Sequence, residues 1–181
     1  MRRPPQRRIV ELGPETLLCG ESIEVGKLGT KRAVNITQRT IIRAPAERCF
    51  ELIAKQLEET PYWDPTIMWV NPISSKHVRV GFMSRVAFSL CDTKEEAVAM
   101  IRSFRANKAM LWTSNHSSQL QEEWQLQHEP HGTAVTVTLG YNCDRSVLGR
   151  LTDKVVTRTK IEKAISQMLH GLKATAEALQ Q

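Results

Sequence analysis

Long apolar runs are missing from this chain of 181 residues: the longest, such as Ala97–Ile101, span about five residues, against the roughly 18–20 needed to cross a bilayer. A membrane-spanning helix is therefore excluded. The N-terminus carries arginines without the apolar stretch of about 7–15 residues that a secretory signal places after them, so cytoplasmic residence is the expectation. Cysteine is scarce and scattered. Cys19, Cys49, Cys91 and Cys143 stand 30, 42 and 52 residues apart with no C-x-x-C pair, which points to isolated buried thiols and away from zinc or a redox dithiol. Also absent are G-x-S-x-G, G-x-x-x-x-G-K, H-E-x-x-H and a glycine-rich dinucleotide fingerprint. Without them, nucleotide-cofactor chemistry and serine- or zinc-hydrolase chemistry have no basis, and no metal or other cofactor is expected.

What is present is an ordinary globular composition, 41% hydrophobic and 24% charged, at a length that suits one domain. A domain of that size buries enough surface to dispense with disulfides or a metal, and it tolerates an internal cavity. The net charge of +6 suggests nucleic acid or an anionic surface until it is located. Arg2, Arg3, Arg7 and Arg8 carry four of those charges, and the other 21 Lys and Arg exceed the 19 Asp and Glu by only two. No aromatic stacking platform accompanies the arginines, so nucleic acid is not the expected partner.

Residues 1–10 combine those arginines with Pro4-Pro5 and read as a disordered basic tail. Residues 11–33, punctuated by Gly13, Pro14, Gly20, Gly26 and Gly29, read as a loop-rich extension with room for an edge strand at Leu17–Val25. From residue 34 to 181 the pattern is that of one domain. Val34–Arg43 is β-branched and alternating, and predicts a strand. Pro45 suits the first turn of a helix whose stripe is Phe50, Ile53, Ala54 and Leu57, with Thr60-Pro61 closing it. Tyr62-Trp63-Asp64-Pro65, bracketed by prolines, predicts a short helical turn or loop with one apolar anchor, and Asp64 reads as a structural capping or turn residue. Six strands are predicted at Ile67–Ser74, Val78–Leu90, Ala97–Phe104, Ala109–His116, Leu120–Glu129 and Thr133–Tyr141. Their short connections imply an antiparallel meander. Ser146 as N-cap and the proline-free stretch Val147–Leu179 predict one long final helix. The class is α+β, a long amphipathic helix against one curved antiparallel sheet.

This succession carries Ile42-Arg-Ala-Pro-Ala-Glu-Arg-Cys-Phe-Glu-Leu-Ile53, then Trp63-Asp-Pro65, then Gly132-Thr-Ala-Val-Thr-Val137. With the A-P-x-E-x-x-F opening followed in order by W-x-P, it resembles the START-like (SRPBCC) superfamily, and more narrowly its polyketide cyclase/dehydrase group, over about residues 34–179. The resemblance implies a helix-grip fold whose sheet wraps the last helix around a cavity for an apolar or amphipathic molecule. Members of that superfamily include cyclases and aromatases, lipid and sterol carriers and a ubiquinone-binding type. The N-terminal extension falls outside the pattern.

Period two places Leu120, Glu122, Trp124, Leu126 and His128 on one face, Val135, Val137, Leu139 and Tyr141 on another strand's face, and Met110, Trp112, Ser114 and His116 on a third. Their apolar content marks these as the concave faces, with Trp112 and Trp124 as core or cavity wall and Glu122, His128, His116 and Tyr141 as polar groups among apolar ones. On the last helix, Leu151, Val155, Ile165, Leu169, Leu172 and Ala176 form a stripe, and Arg158 and Glu162 fall within it as an i, i+4 pair. Either these two charges reach out to solvent, or they line the cavity mouth and fix a ligand's polar end. The expected ligand contacts are thus Trp112, Glu122, Trp124, His128, Tyr141, Leu151, Val155, Arg158 and Glu162. The first functional expectation is binding or transport of a lipid, polyketide or quinone-like molecule, which needs only the cavity. The second is a cyclase/aromatase-type enzyme, which needs Glu122, His128, Tyr141 and Arg158 gathered around one ligand position.

Overall fold

A computed structural model describes residues 32–74, 77–90, 93–115, 120–143 and 151–178, with the side chains of residues 32, 33, 93, 142, 143 and 151–157 excepted. The basic tail and most of the extension, including Leu17–Val25, lie outside the described residues. The elements run β1 (Arg32–Ile42), α1 (Ala46–Ala54), a 3₁₀ turn (Leu57–Glu59), α2 (Thr60–Trp63), β2 (Ile67–Pro72), β3 (Met83–Leu90), β4 (Thr93–Arg105), β5 (Ala109–Ser114), β6 (Gln121–Glu129), β7 (Gly132–Cys143) and α3 (Leu151–Ala178). All seven strands pair antiparallel in one sheet, in the order β1-β7-β6-β5-β4-β3-β2. Strands β2 to β7 are the expected meander. Strand β1 crosses to the far edge and pairs with β7 along its whole length, from Arg32↔Cys143 to Ile42↔Thr133.

The sheet packs on α3, the helix-grip arrangement. Its inward residues Met110, Trp124, Leu126, Val135, Val137 and Leu139 share one core with Ile161, Ile165, Met168, Leu169, Leu172 and Ala176 of α3. Polar ties fix the helix along β1: Gln38 Nε2 donates to the Glu162 carbonyl at 2.7 Å, and Lys173 Nζ to the Ile41 carbonyl at 2.9 Å. The backbone N–H of Arg43 donates to Glu177 Oε1 at 2.8 Å.

Three local expectations need correction. Pro45 is the extended residue that precedes α1 and not a member of its first turn. Thr60-Pro61 begins α2 where it was expected to end α1, because a proline at the start of a helix lacks an N–H that has no helical partner anyway. The strand predicted from Val78 starts only at Met83. Gly81, at φ +84°, turns the chain before it, and its N–H bonds to the Ile101 carbonyl at 2.8 Å.

The corner between β1 and α1 is held from β7. Thr133, fully buried, donates its hydroxyl to the Ala44 carbonyl at 2.7 Å. Its hydroxyl also bonds the Cys49 thiol, whose pKa burial nonetheless pushes up to about 11, so this thiol stays protonated and unreactive. Thr133→Val keeps the volume and removes the donor from a buried carbonyl. We expect a loss of roughly 1–2 kcal/mol by urea denaturation, and an unchanged midpoint would show that the hydroxyl holds nothing.

Candidate functional site

The hairpin of β5 and β6 places Trp112 opposite Glu122 and Met110 opposite Trp124. Alternation along β6 then points Glu122, Trp124 and Leu126 toward α3. Two indoles converge on one carboxylate oxygen: Trp112 Nε1 donates to Glu122 Oε1 at 3.1 Å, and Trp124 Nε1 donates to the same atom. Burial pushes the Glu122 carboxyl up to about 7, the nearby Asp64 carboxylate adds to the shift, and the two indole bonds pull against it. Glu122 is thus an acid poised near neutrality inside an apolar wall.

Asp64 arrives from the other side of the core. It follows α2, is only 3% exposed, and its Oδ1 accepts both the backbone N–H of Thr66 at 2.8 Å and the Thr66 hydroxyl at 2.7 Å. Burial raises its pKa, and the Thr66 bonds lower it. This is the structural turn expected of it, and it also lines the cavity beside Glu122. Trp63, 4% exposed, sets its ring edge-on to Trp124 with centroids 6.2 Å apart. Its Nε1 is buried and, among the described residues, without a hydrogen-bond partner.

Two cavities meet at this group. The first, about 70 Å³, runs between α2 and the sheet past Trp63, Asp64, Phe82, Ser84, Met110 and Trp124. The second, about 40 Å³, lies toward α3 and is bounded by Phe88, Leu120, Leu139, Ile165 and Met168. Ile67, Trp112 and Glu122 line both, so they form the partition between them. Glu122 keeps some open surface, and it is these two spaces that it borders. Sites for drug-sized ligands occupy roughly 300–1,000 Å³. Both cavities are smaller, and a ligand of that size enters only if the partition or α2 shifts. Among the described residues lining the two cavities there is no Lys, Arg or His. Among the described residues, no three His, Cys, Asp or Glu are placed to hold a metal.

Of the residues expected to touch a ligand, Trp112, Glu122 and Trp124 are brought together. Tyr141 is half-buried and packs against the edges of the core clusters. His128 is exposed and borders a wide polar groove at the opposite end of the sheet, beside Arg105, Lys108 and Glu129. Arg158 and Glu162 pair at 2.8 Å with side chains 61% and 39% exposed, and neither lines the two cavities. The buried stripe of α3 keeps the expected Ile165, Leu169, Leu172 and Ala176 and adds Ile161 and Met168, leaving the ion pair at its margin. The side chains of Leu151 and Val155, and the whole of His116, lie outside the described residues. The sequence reading did not place Trp63 and Asp64 in the site, although their bracketing by Pro61 and Pro65 marked them as a held turn.

The family model described as "Polyketide cyclase / dehydrase and lipid transport" matches residues 33–177. No curated protein matches the chain. Among solved structures, ginseng major latex-like protein 151 from Panax ginseng is 12% identical, covering 80% of this chain and 97% of that one, with a TM-score of 0.64. A START superfamily protein from Mycobacterium smegmatis is 14% identical over 81% and 98%, also at 0.64. The di-domain ARO/CYC BexL from the BE-7585A biosynthetic pathway is 16% identical over 80% of this chain and 50% of its own, again at 0.64. These similarities establish a common fold. The chain belongs to the polyketide cyclase/dehydrase and lipid-transport family of the START-like superfamily.

Proposed function

We propose that this member of the family binds or transports a hydrophobic small molecule, a lipid, polyketide or quinone-like compound, between the concave sheet face and α3, with the ligand's polar end held at Glu122. The observation that carries this reading is a compact polar focus, Glu122 with its two indole donors and Asp64 beside it, set in an otherwise largely apolar lining. A few convergent polar groups in an apolar lining are the usual form of a small-molecule site. Binding needs nothing more than that lining and a way in.

A cyclase/aromatase-type activity is the second reading, and one feature favours it: a carboxyl held near pH 7 takes up and returns a proton at neutral pH. The acid–base set it first called for is not gathered around that carboxyl, since His128 and Arg158 are exposed on other faces. What remains for it is Glu122 with Asp64 beside it.

The test is mass spectrometry of compounds extracted from the natively purified protein, with thermal-shift titration of whatever is recovered. A recurrent apolar compound at near-stoichiometric yield, raising the melting temperature when added back, is the expected outcome. Empty extracts together with no shift for long-chain lipids, quinones or polyphenols would overturn the binding reading.

A further inference from the structure

Resting on the cavity reading just proposed, we infer that the cavity selects a ligand whose polar end is a neutral hydroxyl, an alcohol or phenol, and rejects the carboxylate of a free fatty acid. The ionisable groups among the described lining residues are two carboxyls, Glu122 and Asp64, with no cation to answer them. A ligand carboxylate would bring a third acid into the same low-dielectric space, where like charges repel strongly and neither can be hydrated. The hydrogen-bond inventory narrows the choice further. Trp112 and Trp124 both donate to Glu122 Oε1, so neither indole is spent on Oε2. Trp63 Nε1, on α2, is a fully buried donor without an acceptor among the described residues, on a ring packed edge-on to Trp124, and a shift of α2 that admits a ligand would uncover it. Unsatisfied buried donors are rare in folded proteins and costly. The space opened by that shift asks for one group that donates toward a carboxylate and accepts from an indole. A hydroxyl does both. An ammonium donates but cannot accept, and a ketone or ether accepts but cannot donate. Asp64 Oδ1 is already occupied by Thr66, so its part is to add negative charge. The hydroxyl also suits Glu122 in either protonation state, because it accepts from the acid as well as donating to the anion.

The test compares four probes of one shape at pH 8: 4-butylphenol, 4-butylbenzoate, 4-butylbenzylamine and butylbenzene, each titrated into the full-length protein by calorimetry. The phenol is expected to bind about tenfold better than butylbenzene and at least about tenfold better than the benzoate, and a benzylamine bound more tightly than the phenol would show that charge and not the hydroxyl selects the ligand, overturning the inference. Trp63→Phe keeps the apolar volume and is expected to weaken the phenol about fivefold while leaving butylbenzene unchanged. Glu122→Gln removes the negative charge and is expected to raise benzoate affinity about tenfold. Benzoate binding as tight as phenol, or a phenol affinity unchanged in Trp63→Phe, would overturn the inference. Butylbenzene binding equally with the phenol defeats the hydroxyl selectivity alone and leaves the apolar cavity standing. No binding by any of the four defeats both.

Discussion

Glu122→Gln is expected to be more stable than the unmodified protein at pH 8, by about 2 kcal/mol, and to lose that advantage by pH 5. The carboxyl sits at about 7 in the folded chain against an ordinary value of 4.5. Below pH 4.5 both folded and unfolded states hold the proton and the group contributes nothing to pH dependence. Between 4.5 and 7 the unfolded chain releases the proton while the folded chain keeps it, so each pH unit costs roughly 1.4 kcal/mol of stability. Above 7 both states are ionised and the full penalty, on the order of 3 kcal/mol, has accrued. Glutamine presents the same Oε1 acceptor to Trp112 and Trp124 and never ionises. It brings one amide donor that is not assured a partner, a cost of about 1 kcal/mol. The difference leaves a net gain at pH 8 and a small net loss at pH 5. Asp64, also shifted upward by burial, contributes pH dependence of the same sign in both proteins. Urea unfolding at pH 5, 6, 7 and 8 reads the crossing directly. Two parallel stability curves would mean that Glu122 is ionised throughout and that its surroundings are wetter than the structure places them.

That carboxyl was legible in the sequence because a strand's period of two is rigid over nine residues. Once Trp124 and Leu126 face inward, Glu122 must as well, and pairing with β5 delivers Trp112 across from it. The final helix was legible as an element and, over its second half, in its stripe: Ile165, Leu169, Leu172 and Ala176 are all buried. The buried face extends further to one side than the expected stripe, through Ile161 and Met168, which leaves Arg158 and Glu162 at its margin and not near its centre. Small departures from an even 100° per residue accumulate over 28 residues and turn the centre of such a face by a fraction of a turn. The approach of Asp64 to Glu122 could not be read at all. They are 58 residues apart, on different elements, and what joins them is the way α2 tucks between the sheet and α3. Proline at position 61 announced a break, and the short helical turn or loop expected at Tyr62–Pro65 forms as the four-residue α2, beginning at Thr60.

How α2 is seated leads to the other large effect. In Gly171→Ala, a Cβ on α3 would stand 1.9 Å from the carbonyl oxygen of Trp63 and 2.9 Å from its carbonyl carbon. Alanine at a helix interior ordinarily gains about 1 kcal/mol over glycine. Against this stands overpacking of the kind that costs about 1–3 kcal/mol or more, here at its upper end because the obstacle is backbone and cannot rotate aside. The repulsion wins, and we expect a net loss of roughly 2 kcal/mol, which lowers the melting temperature by about 4–8 °C at this chain length. The structural outcome follows from where the clash falls. To clear the methyl group, α2 must move off α3, and it carries Trp63 away from Trp124 and Asp64 away from Glu122. Glu122 thereby loses a like charge nearby and gains access to water, so its carboxyl should titrate closer to 4.5 than to 7. Ligand affinity should fall more in Gly171→Ala than in Trp63→Phe, which leaves the backbone in place. A melting temperature raised by about 2–4 °C, the result helix propensity alone would give, would show that α2 is free to float and that Gly171 is not what seats it.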